Sequence, residues 1–192
     1  MPSMGGMTAA GRLLVVAALT GACAGGRSSA SEAPLVAWAE LKNVRGESVG
    51  SAVFQEEGGR VRIVVQASGL TPGRHGIHVH ASGRCELPAF QSAGGHFNPL
   101  GKKHGLENSE GAHGGDLPNL EADAGGRTEY VAVTDRLTLA PGPTSVFDAD
   151  GSAVVVHAGA DDQRSDPSGN SGDRVLCGPL VMGPAGALAP RP

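Results

Sequence analysis

Histidine is concentrated in one part of this chain of 192 residues, and this concentration limits the folds that the chain can adopt. Six of its seven histidines lie between residues 78 and 157. Copper and zinc both bind imidazole nitrogens well, and a carboxylate can complete a zinc site. A fold of this chain therefore has to bring several imidazoles together, and we interpret the chain as a metal-binding protein. The candidate ligands are His78, His80, His96, His104, His113, Asp116 and His157.

The rest of the chain favours short strands over helices. It contains 31 glycines and 13 prolines, and only 3% of its residues are aromatic. Short segments that alternate apolar with polar residues, separated by glycine-rich turns, are typical of antiparallel sheets. We therefore predict an all-β fold, an eight-stranded Greek-key β-sandwich or flattened barrel with long metal-binding and active-site loops. The expected strands are 36–44, 49–53, 60–65, 74–80, 117–122, 127–133, 153–158 and 174–181, with 137–146 crossing over.

The two ends of the chain differ in composition from this middle part. Arg12 precedes an apolar stretch, residues 13–19, that is too short to span a bilayer and is typical of an export signal. The protein is then expected in the periplasm or cell envelope. The predicted organisation is a signal peptide over 1–22, a flexible tether over 23–33, the metal-binding domain over 34–183 and a flexible tail over 184–192.

The three cysteines fit an exported protein. Residues 19–23, Leu-Thr-Gly-Ala-Cys, resemble the lipobox of bacterial lipoproteins, in which the cysteine is lipidated after cleavage. Cys23 is therefore the candidate for lipidation and membrane anchoring, with cleavage alone as the alternative. Exported domains normally pair their cysteines. Pairing Cys85 with Cys177 leaves Cys23 over for a lipid, and two buried free thiols are the other arrangement.

Strand parity separates the first histidines. His78 and His80 are two residues apart on a predicted strand, so their side chains point to the same face. His75 has the opposite parity, and we expect it to be a hydrogen-bonded structural residue. His157 lies on a separate predicted strand. Three imidazoles from two strands can therefore face one ion, which suits copper.

A second set of ligands lies in the loop and at its end. His104, His113 and Asp116 supply three of the four ligands that a closed zinc site requires. His96 can supply the fourth, and because an imidazolate has two nitrogens it could bind both ions at once. The long loop 81–115 needs something to order it, and a bound metal can do so.

Several segments closely resemble the Cu,Zn superoxide dismutase family. They are residues 78–80 (HVH), 96–104 (HFNPLGKKH), 113–116 (HGGD), 156–159 (VHAG) and 174–178 (RVLCG). The resemblance implies an enzyme that converts superoxide to dioxygen and hydrogen peroxide by alternate reduction and oxidation of copper. It also implies one copper and one zinc per chain. A second copy of the chain is a further candidate partner.

The resemblance also implies roles for individual residues. Arg174 would attract and hold the anionic substrate, and His96 would take up and deliver a proton. Asp161 would connect a copper histidine to a zinc histidine, and Cys85 and Cys177 would form a disulfide. The implied ligands are His78, His80, His96 and His157 for copper, and His96, His104, His113 and Asp116 for zinc.

One stretch departs from the best-known animal members of that family. Residues 163–173 form a short segment without clear counterparts of the lysine and glutamates that steer the substrate there. Arg164, Lys102 and Lys103 are candidate substitutes, or plain solvated charges. The net charge is −4, and no cluster of basic residues with interleaved aromatics is present in the sequence, so nucleic acid is not an expected partner.

Two other functions compete with this interpretation. A non-catalytic lipoprotein that buffers or delivers copper or zinc would account for the histidines. It would not account for Arg174 or for a bridging His96. A purely structural sandwich, such as an adhesion module, would need the histidines only to pack. Metal analysis combined with a superoxide assay separates the three.

Overall fold

A computed structural model describes residues 1–3, 5–6 and 34–183. Most of the predicted signal peptide, the tether with Cys23, and the tail 184–192 lie outside the described residues. Within the described part of the chain, no helix is long and apolar enough to cross a membrane.

The described domain is built from ten strands and one short 3₁₀ helix, which confirms the predicted all-β class. The 3₁₀ helix spans Gln91–Ala93. The strands are β1 Leu35–Asn43, β2 Ser48–Glu57, β3 Arg60–Ala67, β4 Gly73–His75, β5 Ile77–His80, β6 Leu120–Ala122, β7 Thr128–Thr134, β8 Ala153–His157, β9 Arg174–Pro179 and β10 Val181–Gly183.

Eight strands form one antiparallel sheet in the order β5-β8-β9-β1-β2-β3-β7, with β10 also paired to β1. Strands β4 and β6 form a separate pair. Neighbours such as β5 and β8, or β3 and β7, are far apart in sequence, so long connections join them, as in a Greek key. The longest of these connections carries the histidine-rich loop.

Alternation of side chains builds the core. In β3, the side chains of Val61, Ile63 and Val65 are fully buried, while those of Arg60 and Arg62 are exposed. The three buried side chains pack with Phe54 of the neighbouring strand β2 in the main core. Each buried aliphatic side chain contributes about 1.5–3 kcal/mol to folding. The alternation of apolar with polar residues that predicted strands in this chain is therefore confirmed for β3.

Strand β8 differs because it is buried on both faces. Val154 and Val156 point into the main core, whereas Val155 packs in a second cluster with Phe90 and Cys177. The sheet register places His78 opposite Val155. The histidines of β5 therefore lie on the outer face of the sheet, beneath the long loop.

Some predicted strands are shorter or divided in the structure. The expected strand 74–80 is interrupted at Gly76, where a Cβ atom would lie 2.8 Å from the Cβ of Ser171. The segment 137–146 forms only an isolated bridge between Thr138 and Ser145. The last expected strand divides at Leu180, whose N–H donates a hydrogen bond to the backbone carbonyl of Ser152 (2.9 Å). The prediction of a long irregular loop over 81–115 is confirmed, apart from the 3₁₀ turn.

Candidate metal centre

The strand histidines take the sides that their parity predicted. His78 and His80 lie on the outer face of β5, and His157, at the end of β8, lies beside them with ring centroids 4.9 Å and 5.6 Å away. His75 lies elsewhere, with Nδ1 2.7 Å from the carbonyl oxygen of His157 and Nε2 2.8 Å from that of Thr71. It is buried and occupied by these contacts, in keeping with a structural role.

Four buried imidazole nitrogens in one cluster have no hydrogen-bond partner within the described residues. An unpaired buried nitrogen is costly, so four together indicate a binding site for a ligand that they can share. Their residues can offer ligand atoms that all lie within 4.8 Å of one another. The atoms are Nδ1 of His78 and Nε2 of His80, His96 and His157.

The second nitrogen of the strand histidines fixes the tautomer of each ring. A nitrogen that faces a carbonyl or carboxylate oxygen has to carry the proton, so the other nitrogen keeps a free lone pair. That lone pair points into the cluster, which suits a copper ion with nitrogen ligands. The contacts are His78 Nε2 to Asp161 Oδ2 (2.6 Å), His80 Nδ1 to the Gly94 carbonyl (2.9 Å) and His157 Nδ1 to the Gly172 carbonyl (3.0 Å).

Burial keeps these rings neutral. Loss of solvation lowers the pKa of His78 to about 3 and that of His157 to about 4, and holds the pKa of His80 well below its usual value. Burial also lowers the pKa of His96, although its contact with Asp116 opposes the shift. At neutral pH the four nitrogens therefore need not lose a proton before a metal binds.

A second cluster converges on one carboxylate oxygen. The Nδ1 atoms of His96, His104 and His113 lie 2.9, 3.0 and 3.2 Å from Oδ1 of Asp116. The Nδ1 atoms of His96 and His113 are 3.4 Å apart. The edges of a tetrahedron around zinc, with ligands at the usual bond lengths, are about 3.3 Å long. These four atoms therefore fit a closed zinc site.

The Asp116 carboxylate is held in place from behind. Its Oδ2 accepts the backbone N–H groups of Gly105 (2.8 Å) and His113 (2.9 Å). Burial opposes its charge, but these contacts and the neighbouring histidines keep the pKa of Asp116 far below its usual range. Burial also opposes a charged His104, yet hydrogen bonds to Asp116 and Asp161 raise the pKa of His104 to about 9. A metal at this cluster would replace that proton.

His96 lies between the two clusters. Its Nδ1 belongs to the second and its Nε2 to the first, and its ring stacks on His78 with the centroids 3.8 Å apart. By distance alone His78 also groups with His96, His104 and Asp116. However, His78 directs Nε2 to Asp161 and leaves only Nδ1 free, whereas His113 directs Nδ1 at Asp116. We therefore place His113 in the second cluster.

Asp161 connects the clusters from the other side. Its Oδ2 accepts from His78 and its Oδ1 accepts from Nε2 of His104 at 3.0 Å. Asn119 anchors it, since the amide of Asn119 binds the backbone N–H and C=O of Asp161 (2.7 and 2.8 Å). One carboxylate therefore orients a ring in each cluster.

Arg174 lies at a cavity of about 490 Å³ that the first cluster borders. Its Nη1 donates to the carbonyl of Phe90 (2.8 Å) and its Nη2 to that of Gly94 (2.7 Å). The structure also confirms a disulfide between Cys85 and Cys177, with Cα atoms 5.7 Å apart. Because Cys177 follows Arg174 by three residues on β9, the bridge ties this strand to the loop that carries Phe90.

Sequence reasoning missed two residues that support the centre. Arg136 donates from Nη2 to the backbone carbonyl of Asp116 (2.7 Å), and Asn119 holds Asp161. No motif or period in the sequence marks either residue. Two of the candidate steering residues form ion pairs: Arg164 with Glu107 (2.6 Å) and Lys103 with Asp166 (3.7 Å).

Comparisons with known proteins agree with this geometry. The family model described as copper/zinc superoxide dismutase (SODC) matches residues 48–180. A superoxide dismutase [Cu-Zn] of Aquifex aeolicus is 46% identical over 146 residues, which cover 75% of this chain and 85% of that protein. A superoxide dismutase [Cu-Zn] of Caulobacter vibrioides is 39% identical and covers 74% and 83%. The crystal structure of a SOD-like protein from Bacillus subtilis matches with a TM-score of 0.72 and 40% identity, covering 75% of this chain and 97% of that one.

Proposed function

This chain belongs to the copper/zinc superoxide dismutase family, and from this premise we propose that it converts superoxide to dioxygen and hydrogen peroxide. Two superoxide anions and two protons are consumed for each dioxygen and hydrogen peroxide formed. When bound, copper supplies the one-electron chemistry by changing oxidation state, and zinc supplies structural order and polarises the shared imidazole. The protein has to hold both ions, admit an anion and provide protons.

The proposed ligands follow from the two clusters. The observation that carries the proposal is the group of four buried nitrogens without partners, which become satisfied if copper binds there. The second group supports zinc through the near-tetrahedral spacing of its atoms. We assign copper to His78, His80, His96 and His157, and zinc to His96, His104, His113 and Asp116.

Three residues of the chain would serve the reaction directly or by orientation. Arg174 is fixed by two carbonyl groups at the cavity, where its positive charge can hold an anion. Nε2 of His96, which has no hydrogen-bond partner within the described residues, is the atom at which a proton can be held and released. Asp161 keeps His78 and His104 in orientation, as outer partners of metal ligands commonly do.

Paired single substitutions test the assignment. H80Q should lower the copper content while zinc is retained, because His80 touches only the first cluster. H113Q should lower the zinc content first. Superoxide consumption by the fully loaded wild-type protein, followed by stopped flow, should exceed that of the metal-free protein by several orders of magnitude. Full copper binding by H80Q would refute the ligand assignment, and metal binding without activity would favour a buffer or delivery protein.

The location of the protein is part of the same proposal. The disulfide is typical of oxidising compartments outside the cytosol. An apolar leader and Cys23 support export to the periplasm or cell envelope, with a lipid anchor on Cys23 after cleavage of residues 1–22. Mass spectrometry of the mature N-terminus would test this, since an unmodified or uncleaved N-terminus contradicts it. Light scattering of the purified domain at several concentrations would test the proposed homodimer.

A further inference from the structure

The cavity next to the first cluster has an unusual charge balance. Among its lining residues in the described part of the chain, only Asp173 and Arg174 carry a full charge of either sign. Arg174 donates two hydrogen bonds, one to the carbonyl of Phe90 and one to that of Gly94. Asp173 is exposed, and its backbone carbonyl accepts the N–H of Ala158 (2.7 Å), which anchors it beside the cavity.

The Asp173 carboxylate is not neutralised by its neighbour. Within the described residues no ion pair links it to Arg174 or to any other basic side chain. Its negative charge therefore acts on whatever enters the cavity. An approaching anion meets one positive and one negative residue in the lining of the cavity, and their effects on it oppose each other.

The remaining basic residues near the loops do not restore a positive balance. Arg164 pairs with Glu107 and Lys103 pairs with Asp166, whereas Lys102 has no ion pair within the described residues. None of these three basic residues lines the cavity. The chain as a whole carries a formal charge of −4. Within the lining of the cavity, Arg174 is therefore the source of attraction for an anion.

We propose that Asp173 is a specificity-determining residue that opposes the entry of anions and counteracts Arg174. The repulsion grows with the charge of the ligand, so Asp173 disfavours a dianion such as phosphate more strongly than a small monoanion. This inference rests on the proposed function, because it treats the substrate as a monoanion that reaches the first cluster. It predicts capture that depends only weakly on ionic strength in the wild-type protein.

The test is the isosteric variant D173N in the copper- and zinc-loaded protein. At low ionic strength the affinity for azide, measured by titration of the cupric absorption band, should rise about two- to fivefold, as removal of one nearby, water-screened charge predicts. The affinity for inorganic phosphate should rise by a larger factor. The rate of superoxide consumption should rise in parallel and become more sensitive to added salt.

E57Q is the matched control. It changes the net charge by the same amount, but Glu57 lies at the end of β2, and no residue of β2 or β3 lines the cavity. Metal contents of both variants should equal those of the wild type. Azide affinity and salt dependence that are the same in D173N as in E57Q would overturn the proposal. If the loaded protein consumes no superoxide, the proposed function fails, while the azide and phosphate titrations still decide the role of Asp173.

Discussion

The closest packing around the centre occurs at Gly169, and a single methyl group there should break the link that Asp161 makes between the two clusters. A Cβ atom at residue 169 would overlap Oδ1 of Asp161 and lie 2.7 Å from Nε2 of His104. The glycine also has a left-handed backbone, with φ of 62°. G169A therefore forces the Asp161 carboxylate away from His104, or the loop away from both.

The cost can be worked out from these contacts. A Cβ in the left-handed region costs about 1 kcal/mol. Oδ1 of Asp161 accepts from His104 Nε2 and from the N–H of Gln163, and hydrogen bonds to a charged group contribute about 1.5–3 kcal/mol each. We therefore expect G169A to lower the free energy of unfolding by about 4 kcal/mol or more.

The control variant G101A separates the cost of the left-handed backbone from the cost of the lost hydrogen bonds. Gly101 has nearly the same φ, 61°, but a Cβ there would meet nothing within 4 Å. It should therefore cost only about 1 kcal/mol. The assay is urea unfolding of the metal-free protein with its disulfide intact, followed by zinc titration. Zinc affinity should fall about 10- to 100-fold in G169A alone. Equal losses of stability in the two variants would show that Asp161 does not depend on the space at Gly169.

Three further changes have defined outcomes. The double variant C85S/C177S should lose about 4–5 kcal/mol of unfolding free energy, because the bridge joins residues 92 apart; a urea midpoint close to that of the wild type would contradict this. R136M should weaken zinc binding about tenfold in a competition assay with a chromogenic chelator, since Arg136 holds the carbonyl of Asp116; unchanged affinity would limit Arg136 to general stability. In the metal-free protein, hydrogen bonds to Asp116 and Asp161 raise the pKa of His104 to about 9, whereas the pKa of histidine in the unfolded chain is about 6.5. Protonated His104 therefore contributes its full stabilisation at and below about pH 6.5, and this contribution is lost as the pH rises through about 9. Urea unfolding between about pH 6 and 10 should show this loss, and H104Q should lack it.

Local rules of the chain were sufficient for much of the fold and the centre. Alternation placed β3 and its buried valines, and parity put His75 on a different side from His78 and His80. These features depend on residues close together in sequence, where the period of a strand decides which side a residue faces. The candidate metal ligands could also be found from the sequence, because the chain has only seven histidines and their imidazole groups bind metals readily.

The features that could not be predicted are contacts between distant segments. The break at Gly76 is explained by the approach of Ser171, 95 positions later, and the support of Asp116 by Arg136 joins a loop to the end of a strand. Neither contact changes the local pattern of apolar and polar residues. The close contact between Gly169 and Asp161 could not be predicted from the sequence either, because the chain contains 31 glycines and nothing marks this one.

Hydrogen bonds between the two long loops also join the clusters, beyond the shared ring of His96. The backbone N–H of His104 donates to Asp166 Oδ1 (2.8 Å), and the N–H of Glu107 donates to the carbonyl of Gln163 (3.1 Å). Farther along the second loop, the carbonyl of Gly172 orients the ring of His157 (3.0 Å).

Loss of the metal from the second cluster would release His104 and loosen the segment from Asp166 onward. We expect the orientation of His157 in the first cluster to change as well, because the Gly172 carbonyl that holds its ring lies on that segment. Because such a connection runs through backbone hydrogen bonds, it should persist in a variant that lacks the imidazole of His96 but retains the loop. The loops therefore offer a connection between the clusters in addition to the ring of His96 and the carboxylate of Asp161.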